Sequence, residues 1–374
     1  MPLAFEEIAR NEGIRNFTIQ GKDDIHGMME NENLGMKGLL DWTKRVIHQQ
    51  FQEIIPLLQE NEILVASNTE FGAASIAEYC KKPFMRTAYG PLIPGKAIYP
   101  PLFSLTAPNP IIKPGLVWSA INSGMNMMTR DILNAHRLEL GMRPVKNHAH
   151  HNAAGALNYL MYSKTLGSID PDWKYDWDIG GYIFNDDIPY DQSHLDEFLA
   201  FAKKDDKPLV FFTLGSCNSH HAVRFADYID NACKKLHYKL AIGAGWQKVG
   251  SKLEAHEDLF LLNTTIPHCK IFPHIDAIVH HGGVGTTHSA ARWGIPQMIT
   301  ALLMDQWYWA YRTKILGAGP GNCNIKKVNE KQLTAKLKDL VENQFYKKCA
   351  ADAAQKMQAE DGLTTMCEKI ETFA

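Results

Sequence analysis

The chain has 374 residues, 45% of them hydrophobic and 21% charged, with a formal net charge of −2. This balance belongs to a globular protein long enough for two domains, and it gives no electrostatic basis for nucleic-acid binding. Seven cysteines, an odd number without a CxxC pair, argue against a disulfide framework or zinc ribbon and suit a reducing cytoplasm.

The segment Met1 to Glu7 has neither a basic n-region nor an apolar h-region, so no signal peptide is expected. No apolar run approaches the ~18 residues that span a bilayer. The first predicted elements are a strand over Ile14–Ile19, a long helix over Gly38–Gln59, a strand over Glu62–Ser67, a helix over Ala73–Tyr79 and a strand over Pro83–Ala88. From Pro91 to Pro114 runs a proline-rich loop with aromatics, and a helix-rich stretch follows from Leu116 to Leu140. That loop and Met125, Met127 and Met128 suit an adaptable apolar pocket, and equally a core helix with its loop. His148, His150 and His151 invite a metal, but no nearby cysteine or carboxylate completes a ligand set, so a polar loop and no metal are expected. Phe184 to Asp206, rich in aspartate and short of apolar periodicity, reads as an interdomain linker.

From Lys207 onward strands and helices alternate, which predicts a parallel sheet covered by helices. Pro208–Thr213 is a continuous apolar strand ending at Leu214-Gly215-Ser216, and Val223–Leu236 reads as a helix. Tyr238–Ile242 is the next strand, ending in Gly243-Ala244-Gly245-Trp246, and Leu259–Leu262 a short one before Ile266-Pro267-His268. Asp276–His280 then feeds the most informative stretch, His280-His281-Gly282-Gly283-Val284-Gly285-Thr286-Thr287-His288-Ser289. An apolar run ends in two histidines, turns on glycines and opens a helix at Thr286 and Thr287. Such a junction presents unpaired backbone N–H groups with the positive helix end behind them, a ready site for phosphate. Glycines let an anion approach the backbone where a Cβ would block it. Gln297–Met304 reads as another buried run, and Asp305-Gln306 after it pairs a carboxylate with an amide, suited to neighbouring sugar hydroxyls.

The stretch "HHGGVGTTHSAARWGIPQMITALLMDQWYWA" resembles the donor-site signature of nucleotide-sugar-dependent glycosyltransferases, in the sterol-glucosyltransferase-like and antibiotic-glycosyltransferase-like branches. "FFTLGS", "AIGAGW", "IPHCKIFPHIDAIVHHGG", "LGAGPGNCNIKKVNEKQL" and "AEDGLTTMCEKIETF" extend the likeness to the last residue, and "SIAEYCKKPFMRTAYGPLIPGKAIYPPL" resembles the acceptor domain of the sterol branch. The resemblance implies an α/β fold of two Rossmann-like domains (GT-B type) with a cleft between them. Residues 1–190 would be the acceptor domain, 207–350 the donor domain, and 351–374 a terminal helix crossing back. It implies that Gly282, Gly283, Gly285, Thr286 and Thr287 hold the donor diphosphate, with His281 adding a hydrogen bond. One of His280 and His281 is expected to be structural. Ser216 would join the phosphates or cap a helix, and Trp246 would line the base pocket or a partly buried core. His268 lies where the family's backbone contacts the base. Asp305 and Gln306 would grip the sugar, while Trp307, Tyr308 and Trp309 flank it or form a core helix face.

One departure follows from the same comparison. Relatives place a strand, a glycine loop, a helix and a second strand before the region resembling Phe5-Glu6-Glu7, and that loop carries their catalytic base. The first domain is therefore expected to be shortened. Asp23, Asp24, His26 and Glu70 have no motif context and read as surface residues, so no catalytic residue is assigned. The implied reaction is inverting, metal-independent transfer of a hexose, glucose by resemblance, from a UDP-sugar to a hydroxyl of a lipophilic acceptor such as a sterol. The UDP-sugar is a co-substrate, and no cofactor is expected. The rivals are a nucleotide-sugar-binding protein without transfer, an epimerase of the UDP-sugar on the same fold, and a lipid carrier or scaffold. A cytoplasmic location is expected. Peripheral membrane contact is compatible with a lipid acceptor, although no basic amphipathic helix stands out.

Overall fold

The computed structural model describes residues 9–10, 13, 36–67, 70–101, 111–215, 217, 219–243, 245 and 249–374. The strand expected over Ile14–Ile19 lies outside the described residues, as do Asp23, Asp24, His26, Ser216 and Trp246.

The first domain is built from α1 (Met36–Gln59), β1 (Leu64–Ala66), α2 (Ala73–Cys80), β2 (Phe84–Ala88), α3 (Pro114–Glu139), α4 (His148–Ala154), β3 (Leu157–Leu160) and β4 (Trp177–Ile179). Its four strands are all parallel in the order β1-β2-β3-β4. Ile47, Phe51, Ile54 and Leu58 recur at helical spacing on α1 and bury one face against Ala73, Ile76 and Ala77 of α2. The three histidines expected on a polar loop sit instead on α4, whose Asn147 cap accepts a hydrogen bond from the His150 N–H at 3.0 Å. His148 Nε2 lies 3.1 Å from Asn134 Oδ1, and His151 Nε2 lies 3.2 Å from Glu78 Oε2. Both are structural contacts to neighbouring helices.

The segment expected as a linker contains α5 (Gln192–Ala202). Asp191 caps it by accepting from the Ser193 and His194 N–H groups, and Leu195 and Phe198 are buried against the second domain. Leu195, Phe198, Leu199 and Ala202 follow the spacing of a helix face, a short signal preceded by aspartate-rich loop sequence.

The second domain comprises β5 (Leu209–Thr213), α6 (Ala222–Leu236), β6 (Lys239–Gly243), β7 (Leu259–Leu262), α7 (His268–Ile271), β8 (Ala277–His280), α8 (Val284–Arg292), β9 (Gln297–Ile299), α9 (Gln306–Leu316), β10 (Gly321–Asn322) and α10 (Glu330–Glu342). Six parallel strands run in the order β10-β9-β8-β5-β6-β7, the doubly wound arrangement. One face of the sheet packs on α6 and α10, the other on α5, α7 and α8. The order reverses between β5 and β8, so their connections depart to opposite faces and leave a crevice at the strand ends. The run expected over Gln297–Met304 is a strand only to Ile299. Beyond it the Leu302 and Leu303 N–H groups donate to Gln306 Oε1, and Met304 takes a φ of 51°.

The chain closes with α11 (Gln344–Met357), packed on α8, and α12 (Gly362–Phe373). Met366, Ile370 and Phe373 of α12 pack on Met85, Tyr159 and Met161 of the first sheet, and Lys369 Nζ lies 2.7 Å from Asp178 Oδ2. A shared core joins the domains: Leu160, Tyr162 and Leu166 pack with Ala291, Tyr308 and Trp309. Hydrogen bonds reinforce it, from Ser163 N–H to His288 Nε2 at 3.2 Å, Ser168 N–H to Tyr308 Oη at 2.7 Å, and Arg312 Nε to the Leu166 carbonyl at 2.7 Å.

Candidate functional site

At the crevice between β5 and β8 lies a cavity of about 560 Å³. The β5 turn contributes Gly215, the β7–α7 connection contributes Thr265, Ile266 and His268, and the β8–α8 junction contributes His281, Gly283, Gly285 and Thr286. The remaining wall is residues 182–188, the segment leaving β4 of the first domain.

The two adjacent histidines point opposite ways, as neighbours in extended backbone must. His280 is fully buried: its Nδ1 accepts from the Gly282 N–H at 3.1 Å, so Nε2 carries the proton and donates to Gln297 Oε1 at 2.9 Å. Gln297 Nε2 in turn lies 3.3 Å from the Thr287 carbonyl, tying β8, β9 and α8 together. Burial holds the His280 imidazole down at about 3. His281 turns to the cavity instead. It is 7% exposed, and its Nδ1 is buried with no hydrogen-bond partner. Burial, then the charge of His268, holds its pKa at about 4, so the ring is neutral at pH 7. Its ring leaves no space for side chains on either side: a Cβ on Gly215 would approach it to 2.8 Å, and one on Gly283 to 2.4 Å.

The helix behind this ring begins two residues earlier than expected, at Val284. Gly283 occupies the cap position in extended conformation with no side chain capping the helix. The Gly283 carbonyl accepts from the Thr287 N–H at 3.0 Å and from the Thr287 hydroxyl at 2.8 Å. The N–H groups of the first turn are therefore left for a ligand, beside the positive end of the helix dipole. Gly282, at a φ of 91°, makes the turn, and a Cβ there would lie 2.5 Å from Ile299 Cγ2. An uncapped helix start and the ring of His281, whose Nδ1 has no partner, thus border the same cavity, an arrangement suited to a polyanion.

His281, Gly283, Gly285, Thr286 and His268 meet at this cavity. His268 stacks on Phe272 with centroids 4.5 Å apart, and burial holds its pKa at about 4. Thr287 lies beneath, fully buried with its hydroxyl engaged. Gln306 is buried, accepts from the Leu302 and Leu303 N–H groups at 2.8 and 3.1 Å, and donates to Cys217 Sγ at 3.1 Å. It stitches the β9 turn to the β5 turn. Asp305 Oδ2 accepts from Trp309 Nε1 at 2.8 Å, and desolvation pushes its carboxyl up. Tyr308 and Trp309 are buried in the shared core. Glu70 Oε2 accepts from the Ser67 hydroxyl at 2.6 Å. Tyr182, Phe184, Asp186 and Thr265 line the cavity without any motif to announce them. The one hint in the sequence is a short apolar triplet, Tyr182-Ile183-Phe184, after two glycines.

Residues 248–373 match the family described as "Erythromycin biosynthesis protein CIII-like, C-terminal domain". The chain is 27% identical over 397 residues to the sterol 3-beta-glucosyltransferase of Debaryomyces hansenii, covering 98% of this chain and 24% of that protein. It is 24% identical to the sterol 3-beta-glucosyltransferase UGT80A2 of Arabidopsis thaliana, covering 81% of this chain and 47% of that one. The chain thus spans 24% to 47% of the length of these relatives. The solved glycosyltransferase VinC, in complex with DTDP, superposes with a TM-score of 0.67 at 17% identity, over 98% of this chain and 89% of that one. The fold is the twin-Rossmann GT-B type, and the resemblance read from the donor-site signature is borne out.

Proposed function

From a glycosyltransferase-type fold with an anion-ready cavity at its switch point, we propose that the chain moves a hexose, glucose in the simplest case, from a UDP-sugar to the hydroxyl of a sterol-like acceptor. The observation that carries this reading is the uncapped first turn of α8 bordering the same cavity as the His281 ring. The likeness to sterol 3-beta-glucosyltransferases supports the acceptor class.

In this reading the α8 N–H groups and His281 meet the charge that develops on the departing diphosphate. Such preorganised donors are worth roughly 3 kcal/mol each to a transition state. A neutral His281 donates one hydrogen bond without adding a buried charge of its own. Gly285 keeps the approach open, Gly283 leaves room for the His281 ring, and Gly282 sets the turn that aims the N–H groups. The reaction needs no resident cofactor, and inversion at the anomeric carbon follows if acceptor and diphosphate lie on opposite sides of the sugar.

The test is to incubate the chain with UDP-glucose and ergosterol, following steryl glucoside by mass spectrometry and UDP release in parallel. Glucoside formed in step with UDP, β-linked by NMR and unaffected by EDTA, is the expected result. Nucleotide binding without glucoside across a panel of sterols would refute the transfer, and donor interconversion without acceptor would replace it with epimerisation.

A further inference from the structure

The segment between the domains does more than connect them. Residues 180–188 leave β4, and Tyr182 lies against Gly285 and His288 of α8. Its backbone is fixed from behind by glycines: a Cβ on Gly180 would collide with the Tyr159 side chain, and one on Gly362 would come within 2.7 Å of the Tyr182 carbonyl oxygen. The ring is held from the sides, stacked on His288 with centroids 4.6 Å apart at 23°, and packed edge-on with Phe184 at a centroid distance of 4.9 Å. His288 is itself locked, its Nδ1 on the Val284 carbonyl at 2.8 Å and its Nε2 accepting from Ser163 N–H.

This clamp leaves the phenol oxygen directly over the first turn of α8. A Cβ built on Gly285 would lie 3.0 Å from Tyr182 Oη and would meet no other atom within 4 Å. Among the described residues no group is hydrogen-bonded to this hydroxyl, and Tyr182 lines the same cavity as His281. The ring is packed on both sides, and the one polar atom of the side chain lies beside the anion site. Burial, reinforced by Tyr89, pushes its pKa up to about 12, so the group is a proton-bearing donor throughout the neutral range.

We propose that Tyr182, delivered from the first-domain side by the connecting segment, is a ligand of the donor diphosphate, its hydroxyl donating to a phosphate oxygen held at the start of α8. This rests on the nucleotide-sugar reading above and adds a residue to it. Because the segment emerges from the first sheet and its ring packs on a helix of the second, the diphosphate becomes a bridge between domains, so donor binding should stiffen their contact.

The experiment is a calorimetric titration of the whole chain with UDP, TDP and uridine, comparing Tyr182→Phe with the parent. Phenylalanine preserves the stacking on His288, so the melting temperature should not change. A neutral hydroxyl bonded to a charged oxygen predicts a loss of about tenfold in diphosphate affinity. Uridine, lacking phosphate, should bind both proteins equally, which a merely structural role for the ring would not predict alongside the UDP loss. Tyr89→Phe, whose ring centroid lies 6.5 Å from that of Tyr182, serves as the control and should bind UDP like the parent. Equal UDP affinity in Tyr182→Phe and parent would overturn the assignment while leaving the donor site standing. A parent that binds neither UDP nor TDP would overturn the donor site itself, and Tyr182 with it.

Discussion

Acid should destabilise this protein through histidines that are buried neutral, and His280 provides the cleanest measurement. His280 and His288 are both 0% exposed, and both have pKa values held at about 3 by burial. An unfolded chain returns each to about 6.5. Between those values the unfolded state binds a proton that the native state refuses, so the stabilisation is complete above about pH 6.5 and is lost as pH falls toward 3. From pH 7 to pH 5 only the interval below 6.5 counts, and at 1.36 kcal/mol per unit each histidine loses about 2 kcal/mol. The perturbation is His280→Asn, which retains a side-chain acceptor for the Gly282 N–H but removes one titrating group. Urea unfolding of variant and parent at pH 7 and pH 5 gives the comparison. The variant should be less stable at pH 7, because its reach to Gln297 is lost. Its further loss on acidification should be smaller than the parent's by about 2 kcal/mol. His268 and His281, also held low, contribute to both proteins and cancel. Identical pH slopes would refute the claim that His280 is buried and uncharged.

Gly285→Asp places a carboxylate where the diphosphate should sit. It should weaken UDP binding by about a hundredfold; undiminished UDP affinity by calorimetry would argue against the α8 start as the anion site. Gln306→Ala strips the Leu302 and Leu303 N–H groups of their acceptor and should cost about 2 kcal/mol in urea unfolding, with an unchanged midpoint contradicting the stitching role. Gly282→Ala must adopt a φ of 91° and approach Ile299 to 2.5 Å, so a loss of about 2 kcal/mol or more is expected, and wild-type stability would mean that the turn relaxes freely.

The second domain is legible because its central strands β5 and β8 are buried, largely apolar runs. Leu209–Thr213 and Ala277–His280 are buried along their whole length, and a sheet covered on both faces demands such runs. Parts of the first domain could not be read this way. β3 carries Asn158, which looks like a loop residue, yet it is 1% exposed because its amide donates to the Ala153 and Asp176 carbonyls at 2.9 and 2.8 Å. β4 has three residues, too few to show a period. Both owe their existence to the neighbouring strand, which no local pattern records.

The site divides along the same line. Glycines spaced for a turn after an apolar strand are a local signal, and they mark the helix start where the backbone N–H groups are free. Which of two adjacent histidines faces that start is a question of strand parity, settled only when β9 arrives to offer Gln297 to His280 and the β5 turn closes on His281. A polar pair at the end of a buried run needs a partner. For Gln306 the structure supplies one from its own turn and from Cys217, and for Asp305 from Trp309, so the inference from sequence reached the need without the identity. Tyr182 shows the limit most clearly. Beyond a short apolar triplet after two glycines, nothing around Tyr182 distinguishes it from any aromatic in a connecting segment. Its role comes from a first-domain strand delivering the chain across the N-terminus of a helix more than a hundred residues later, a long-range contact that only the folded molecule makes.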